Sequence, residues 1–337
     1  MIEARPARHS RILGIGGFLP PRVVTNHELA QRMDTSHDWI VERTGIHERR
    51  WAEEGTACSD LALPAARGAL EQAGVAPAQV ELIVFATTTP DHDFPAPGSS
   101  CSGSWGSPAS PRWTSASSAP ALCTGSAIAD AFIRAGVHST VLVVGAEVQS
   151  CALDVSTRGR DMAVLFGDGA GAAVVGVGDE TGRRILSTHL HADGAEAEIL
   201  WMEKPGSACR PRISAGDIEA GRHYPRMEGR KVFKHASTRM AEVLREALAA
   251  NGLAASDLDL LIPHQANLRI IESVGHQLGL APEKIHNNIR TTGNTTAASI
   301  PLCLCDAQQA GRLRPGMLVG LVAFGAGLTW GAALLRW

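Results

Sequence analysis

Residues Ala69 to Val84, ALEQAGVAPAQVELIV, align without a gap on Ala247 to Ile262, ALAANGLAASDLDLLI, at an offset of 178 in a chain of 337. Each stretch reads as the end of a helix, a glycine cap, a short loop and a buried strand. A second pair, DAFIRAG from Asp130 and DAQQAG from Asp306, repeats at an offset of about 176. Two repeats at nearly one offset, slightly over half the chain, predict a duplicated domain packed around a pseudo-twofold axis. Strands are expected at Leu82–Thr87, Val141–Ala146, Ala163–Phe166, Ala172–Val177, Leu258–Ile262 and Met317–Phe324. Helices are expected at Ser59–Ala73, Ala127–Ala135 and Val232–Ala250. In the last, Phe233, Met240, Val243, Leu244 and Leu248 recur at three- and four-residue steps ahead of a capping Gly252. This alternation makes an α/β chain with largely parallel sheets.

Composition narrows the function. A 45% hydrophobic content at this length supports a large core. The 31 basic and 34 acidic residues nearly cancel and form no long run of one sign, which argues against nucleic acid or an anionic membrane as the main partner. No apolar stretch approaches the roughly 20 residues of a membrane span, and the opening MIEARPARHSR has no signal-type apolar region. Seven cysteines without paired spacing suit a reducing cytosol. Neither C-x-x-C nor H-E-x-x-H occurs, so no zinc site is expected.

Two polar residues stand out. His264 ends a buried strand in LDLLIPHQANLRI, at the strand end where open α/β sheets bind ligands. Thirty residues on, GNTTAAS sets Asn294 in a glycine-led turn that opens a small-residue helix. An imidazole and a carboxamide brought together can donate hydrogen bonds to a thioester oxygen as it gains negative charge. GDGAG, Gly167 to Gly171, has no Lys-Ser/Thr after it and reads as a tight turn between strands rather than a phosphate loop.

PHQANLRI, GNTTAAS and FGAGLTWGAALLRW, in this order, resemble β-ketoacyl-acyl carrier protein synthase III, of the thiolase-like superfamily. DWIVERTGIHERRW, ATTTPDHDFPAPG, VLVVGAEV and FGDGAGAAVV extend the resemblance over nearly the whole chain. It implies a five-layer αβαβα fold of two similar halves, residues 1–183 and 184–337, in a cytoplasmic homodimer without a cofactor. It also implies a decarboxylative Claisen condensation between a short acyl-CoA and malonyl-acyl carrier protein, starting fatty-acid synthesis. A cysteine would take the acyl group, and His264 and Asn294 would stabilise the enolate. Trp39 and Arg43 match positions that sandwich the adenine of coenzyme A, with Thr35 beside them, and Arg160 matches a residue near its phosphate. Asn267 and Arg269 match positions at the pantetheine entrance or carrier-protein contact. Read without the family, Trp39 is a core aromatic and the arginines are solvated surface charges. Phe94 is expected to form part of the acyl pocket wall.

The nucleophile itself is missing. The family sets its cysteine at the start of a buried helix, where the helix dipole lowers the thiol pKa. Here residues 99–126 read SSCSGSWGSPASPRWTSASSAPALCTGS, with ten serines, one arginine and no acid, between two family-like flanks. Only 4 of the 31 basic residues are lysine, which points to GC-rich DNA. Codons built from the third base of one residue and the first two of the next permit FLQRELGLPGIPALDVRxQCSGSLYGL over positions 100–126. That reading supplies a helix (LQRELGL), a strand (ALDV) and a CSG turn with its cysteine where Ala119 stands. Taken as it stands, the segment offers only Cys123, in LCTG, four residues late. A related condensing or acyl-transfer enzyme of secondary metabolism, and a nucleophile-less subunit that only binds, remain alternatives.

Overall fold

The computed structural model describes residues 8–94 and 119–337, together with the backbone strand at 112–115. The helix LQRELGL of the frame-shifted reading lies outside the described residues. The first half runs β1 (Ser10–Phe18), β2 (Val23–Thr25), α1 (Asn26–Ala30), α2 (His37–Thr44), β3 (Glu48–Arg50), α3 (Cys58–Ala73), β4 (Leu82–Ala86), β5 (Arg112–Ser115), α4 (Ala121–Arg134), β6 (Thr140–Glu147), α5 (Arg160–Ala163) and β7 (Gly169–Val177). The second runs β8 (Arg184–Ala192), β9 (Leu200–Trp201), α6 (Ala215–Glu219), β10 (Arg226–Met227), α7 (Gly229–Ala250), β11 (Leu260–Pro263), α8 (Leu268–Leu278), α9 (Ile289–Thr292), α10 (Ser299–Gln309), β12 (Leu318–Gly325) and β13 (Thr329–Arg336).

The repeat in the sequence becomes a repeat of sheets. One sheet has the order β1-β7-β6-β4-β5 and the other β8-β13-β12-β11. In both, the first two pairings are antiparallel and the third is parallel. β5 adds a parallel strand beside β4, with Arg112 opposite Ile83. Its counterpart is a single parallel bridge from Leu261 to Ile285. β5 also falls on the four positions where the shifted frame reads ALDV.

The helices complete five layers. α3 covers the outer face of the first sheet, and α7 with α8 covers that of the second. α4 and α10 lie between the sheets, their buried faces sharing one core with strands of both halves. Small residues allow the close contacts this needs: a Cβ on Gly16 would lie 2.1 Å from the Ala65 carbonyl oxygen of α3. The loops after α3 and α7 match in detail. Gly74 and Gly252 take φ of 65° and 68°, the left-handed region glycine enters without a Cβ penalty. Beyond them, Gln79 Oε1 accepts from Ala76 N and Asp257 Oδ2 from Ala254 N, each at 2.8 Å.

Four expectations are corrected. The sheets are mixed rather than largely parallel, with two antiparallel pairings in each. Ala163–Phe166 is not a strand: Ala163 ends the helical turn α5, and Phe166 makes one isolated bridge to Asn294. A short, fully buried apolar run has no periodicity to decide between the two. α4 begins at Ala121, six residues before the expected Ala127, so LCTGS is helical. Phe233 lies off the buried stripe of α7, 37% exposed, and lines a cavity.

Candidate active site

His264 follows β11 directly, its own N–H donating to Val322 O at 2.8 Å, which fixes the ring at the strand's end. The residue is 3% exposed and lines a cavity of about 1100 Å³. Burial lowers its pKa to about 3, so the imidazole is neutral at any physiological pH. Nδ1 lies 2.6 Å from Ser299 Oγ, at the start of α10. In the tautomer in which the hydroxyl donates to Nδ1, the proton sits on Nε2 and can serve as a donor. Ser299 is a site residue that nothing in the sequence singled out beyond its place in GNTTAAS.

Asn294 lines the same cavity from a tightly built turn. Gly293 enters it at φ 64°, and a Cβ there would come within 2.9 Å of Leu165 O. The Asn294 backbone is clamped on both sides: its N–H donates to Leu165 O at 2.9 Å and its carbonyl accepts from Gly167 N at 3.0 Å. Arg49, fully buried, holds the other side of that strip by donating to Val164 O at 2.7 Å. Asn294 Oδ1 accepts from Thr296 N at 2.9 Å, which leaves Nδ2 to donate. Thr296 is the one described non-glycine residue at positive φ, 46°. Strain of this kind persists where the surroundings over-determine it. The Gly167–Gly171 stretch is a turn only as far as Asp168, which accepts from Ala52 N and Ser150 N, and β7 starts at Gly169.

Position 119 closes the triangle. Ala119 lines the cavity immediately before Pro120, the N-cap of α4, so the free N–H groups of a buried helix begin there. Cys123 is elsewhere. It is 0% exposed in the core between the sheets, does not line the cavity, and burial pushes its thiol up to about 12. A thiol so placed stays protonated, the reverse of what a nucleophile needs.

The outer residues gather at the cavity mouth. The guanidinium carbons of Arg43 and Arg160 lie 4.3 and 4.5 Å from the Trp39 ring centroid, so the cations stack on the indole directly. Asn267 caps α8 by accepting from Arg269 N at 2.9 Å and reaches back to Arg43 O at 2.9 Å, tying α8 to α2. Arg269 is exposed on the rim. Thr35 does not line the cavity, and its buried hydroxyl has no hydrogen-bond partner among the described residues. Phe94 is 88% exposed and stands off the cavity wall, contrary to expectation. Among the described residues no group of three or more His, Cys, Asp or Glu could hold a metal ion, and no helix is long and apolar enough to cross a membrane.

Comparison with known proteins gives the family. Residues 116–194 match the 3-oxoacyl-[acyl-carrier-protein] synthase III family, and residues 248–337 match that family's C-terminal part. The chain is 47% identical over 336 residues to β-ketoacyl-[acyl-carrier-protein] synthase III of Rhodospirillum rubrum, covering 97% of this chain and 99% of the relative. It resembles the crystal structure of 3-oxoacyl-[acyl-carrier-protein] synthase III from Aquifex aeolicus with a TM-score of 0.89 and 39% identity, over 97% of this chain and 100% of that one. The priming β-ketosynthase of the R1128 polyketide pathway gives 0.89 at 33% identity, over 99% and 98%.

Proposed function

We propose a mechanism for a chain that belongs to the 3-oxoacyl-[acyl-carrier-protein] synthase III family. The chain is an acyltransferase of the condensing type, the kind that initiates fatty-acid synthesis. The observation that carries the mechanism is the meeting of His264, Asn294 and the head of α4 on one cavity. A thiol at position 119 would take the acyl group from acyl-CoA, whose adenine end would lie at Trp39, Arg43 and Arg160. Malonyl-acyl carrier protein would then enter past Asn267 and Arg269. As carbon dioxide leaves, negative charge grows on the thioester oxygen, and His264 Nε2–H and Asn294 Nδ2–H stabilise it. The resulting carbanion attacks the carbonyl carbon of the acyl thioester at position 119, breaking its C–S bond, so that β-ketoacyl-carrier protein forms and the thiolate is released. A neutral imidazole suits this part, because its one N–H donates without the ring first having to gain a proton. The driving force is the loss of carbon dioxide, so the substrates suffice without a cofactor. The 1–183 and 184–337 halves, a cytoplasmic location and a homodimer belong to the same proposal.

Ala119 cannot carry an acyl group. We read it as the product of the shifted frame, the natural protein having cysteine there. The reading is supported by β5 at the ALDV positions, by the placement of residue 119, and by Gly125. A Cβ at Gly125 would lie 2.3 Å from a Val143 methyl, and the shifted frame also puts glycine there. The chain as it stands should therefore decarboxylate malonyl-acyl carrier protein without condensing it. Acetyl-carrier protein formed by the parent, and lost by about 10²–10³-fold in His264→Ala, is the expected result. A parent that forms none would favour a subunit that only binds.

A further inference from the structure

Glu147 ends β6 at the strand's carboxyl end and is fully buried. Its described partners are neutral donors. Thr88 N donates to Oε1 at 3.1 Å, and Thr88 Oγ1 and Thr89 Oγ1 donate to Oε2 at 3.0 and 2.7 Å. Gln149 Nε2 lies 3.2 Å from Oε2 and 3.0 Å from Thr296 Oγ1, joining carboxylate and threonine. Thr296 and Ala297 belong to the second half, in the turn that follows Asn294. The two halves touch here at backbone distance: a Cβ on Gly145 would lie 2.3 Å from Ala297 O.

The connections form one chain. Glu147 reaches Thr296 through Gln149, and two residues earlier on the same strand Gly145 packs against Ala297. Thr296, held at positive φ, turns its N–H onto Asn294 Oδ1. That bond decides which end of the carboxamide faces the cavity. An amide rotated by half a turn would offer an oxygen lone pair to the developing enolate and repel it.

We propose that Glu147 is a positioning residue: from the first half it holds the Thr296–Ala297 turn, and so fixes the Asn294 side chain with its N–H toward the substrate oxygen. The inference rests on the condensing-enzyme reading for its catalytic consequence, but not for its structural one.

Both consequences are tested on the full chain. In Glu147→Gln, kcat for malonyl-carrier protein decarboxylation should fall about tenfold or more with KM within about twofold, the pattern of a lost transition-state contact. The double variant with Asn294→Ala should be no slower than Asn294→Ala alone, because the two act through one group. Glu147→Asp, which keeps the acceptors, should recover part of the rate. Gln149→Ala leaves the carboxylate in place and should lose activity in the same direction, which covers a Glu147→Gln protein that does not fold. Independently of turnover, the side-chain amide NMR signals of Asn294, identified by their loss in Asn294→Ala, should shift in Glu147→Gln or Gln149→Ala. Unmoved amide signals in a folded variant would overturn the inference even if the parent proves inactive. So would losses that multiply in the double variant.

Discussion

His264 and Glu147 are both buried beside the cavity, and burial moves them in opposite senses. The His264 imidazole is lowered to about 3, and the Glu147 carboxyl is raised to about 7. Each favours its neutral form. For His264, the unfolded chain binds a proton near pH 6.5 that the native site refuses, so stability is complete above that pH and falls as pH drops toward 3. For Glu147 the native state holds a proton that the unfolded chain loses near 4.5, so its contribution is complete below 4.5 and is lost as pH rises toward 7. Between pH 4.5 and 6.5 the two slopes oppose each other. His264→Ala should remove one of them, leaving a variant whose stability falls with rising pH relative to the parent by about 1 kcal/mol per unit. Urea unfolding at pH 4.5, 5.5 and 6.5 reads this, and parallel curves would show that His264 is not desolvated. The nucleophile is tested at the same scale. Ala119→Cys should gain an acetyl-enzyme and β-ketoacyl product, both visible by mass spectrometry. Cys123→Ser should change neither, because a thiol pushed up to about 12 has no thiolate to offer.

Between elements, glycine does two separable jobs. Gly252 ends α7 at φ 68° with open space around its absent Cβ. Gly252→Ala should therefore cost about 1 kcal/mol from backbone strain and leave decarboxylation unchanged. Gly145 has an unremarkable φ but no room, since β6 runs against the Ala297 turn. Gly145→Ala should cost about 1–3 kcal/mol by overpacking and also lower kcat, because the displaced turn carries Asn294. Denaturation curves and decarboxylation rates on both variants separate strain from displacement; equal effects on activity would break that distinction. The same contrast explains what the sequence could disclose. Helix end, glycine, loop and strand recur at an offset of 178, so the duplication was legible from local chemistry. β1, β8 and β13 were not foreseen, and β8, at a sheet edge, is largely half-buried or exposed with histidines along it. His264 and Asn294 were legible because each sits beside a sharp local signal, a strand end or a glycine turn. Ser299, Gln149 and Thr296 were not, because their roles rest on partners distant in sequence: Ser299 meets His264 across 35 residues, and Gln149 meets Thr296 where the two halves touch. Glu147 left a faint trace, as a lone carboxylate ending the apolar run VLVVGAE.

Across the whole molecule the formal charge is −3, yet four arginines, Arg43, Arg160, Arg230 and Arg269, line the cavity beside one carboxylate, Asp161. A chain with this balance has no general affinity for polyanions, so a basic rim on it acts as a local signpost. Of the two proposed substrates, coenzyme A is anionic through its phosphates at the end that stays outside, and a carrier protein docking on a basic rim would meet it with acidic groups. The two should be separable. Arg160 and Arg43 already stack on the Trp39 ring, Arg160 half-buried and Arg43 exposed, whereas the exposed Arg269 heads α8 and, among the described residues, stacks on no aromatic ring. Charge reversal at Arg269 should thus weaken carrier-protein binding and leave coenzyme A binding nearly unchanged. An exposed pair is screened over a Debye length of about 10 Å at 0.1 M salt and about 3 Å at 1 M. The affinities of parent and Arg269→Glu should accordingly differ most at low salt and converge toward 1 M, with most of the difference in the association rate. Calorimetry or surface binding at three salt concentrations measures this. A gap that ignores salt would mean that Arg269 makes a desolvated contact in the complex, and no gap at all would mean that the carrier protein approaches over another part of the rim.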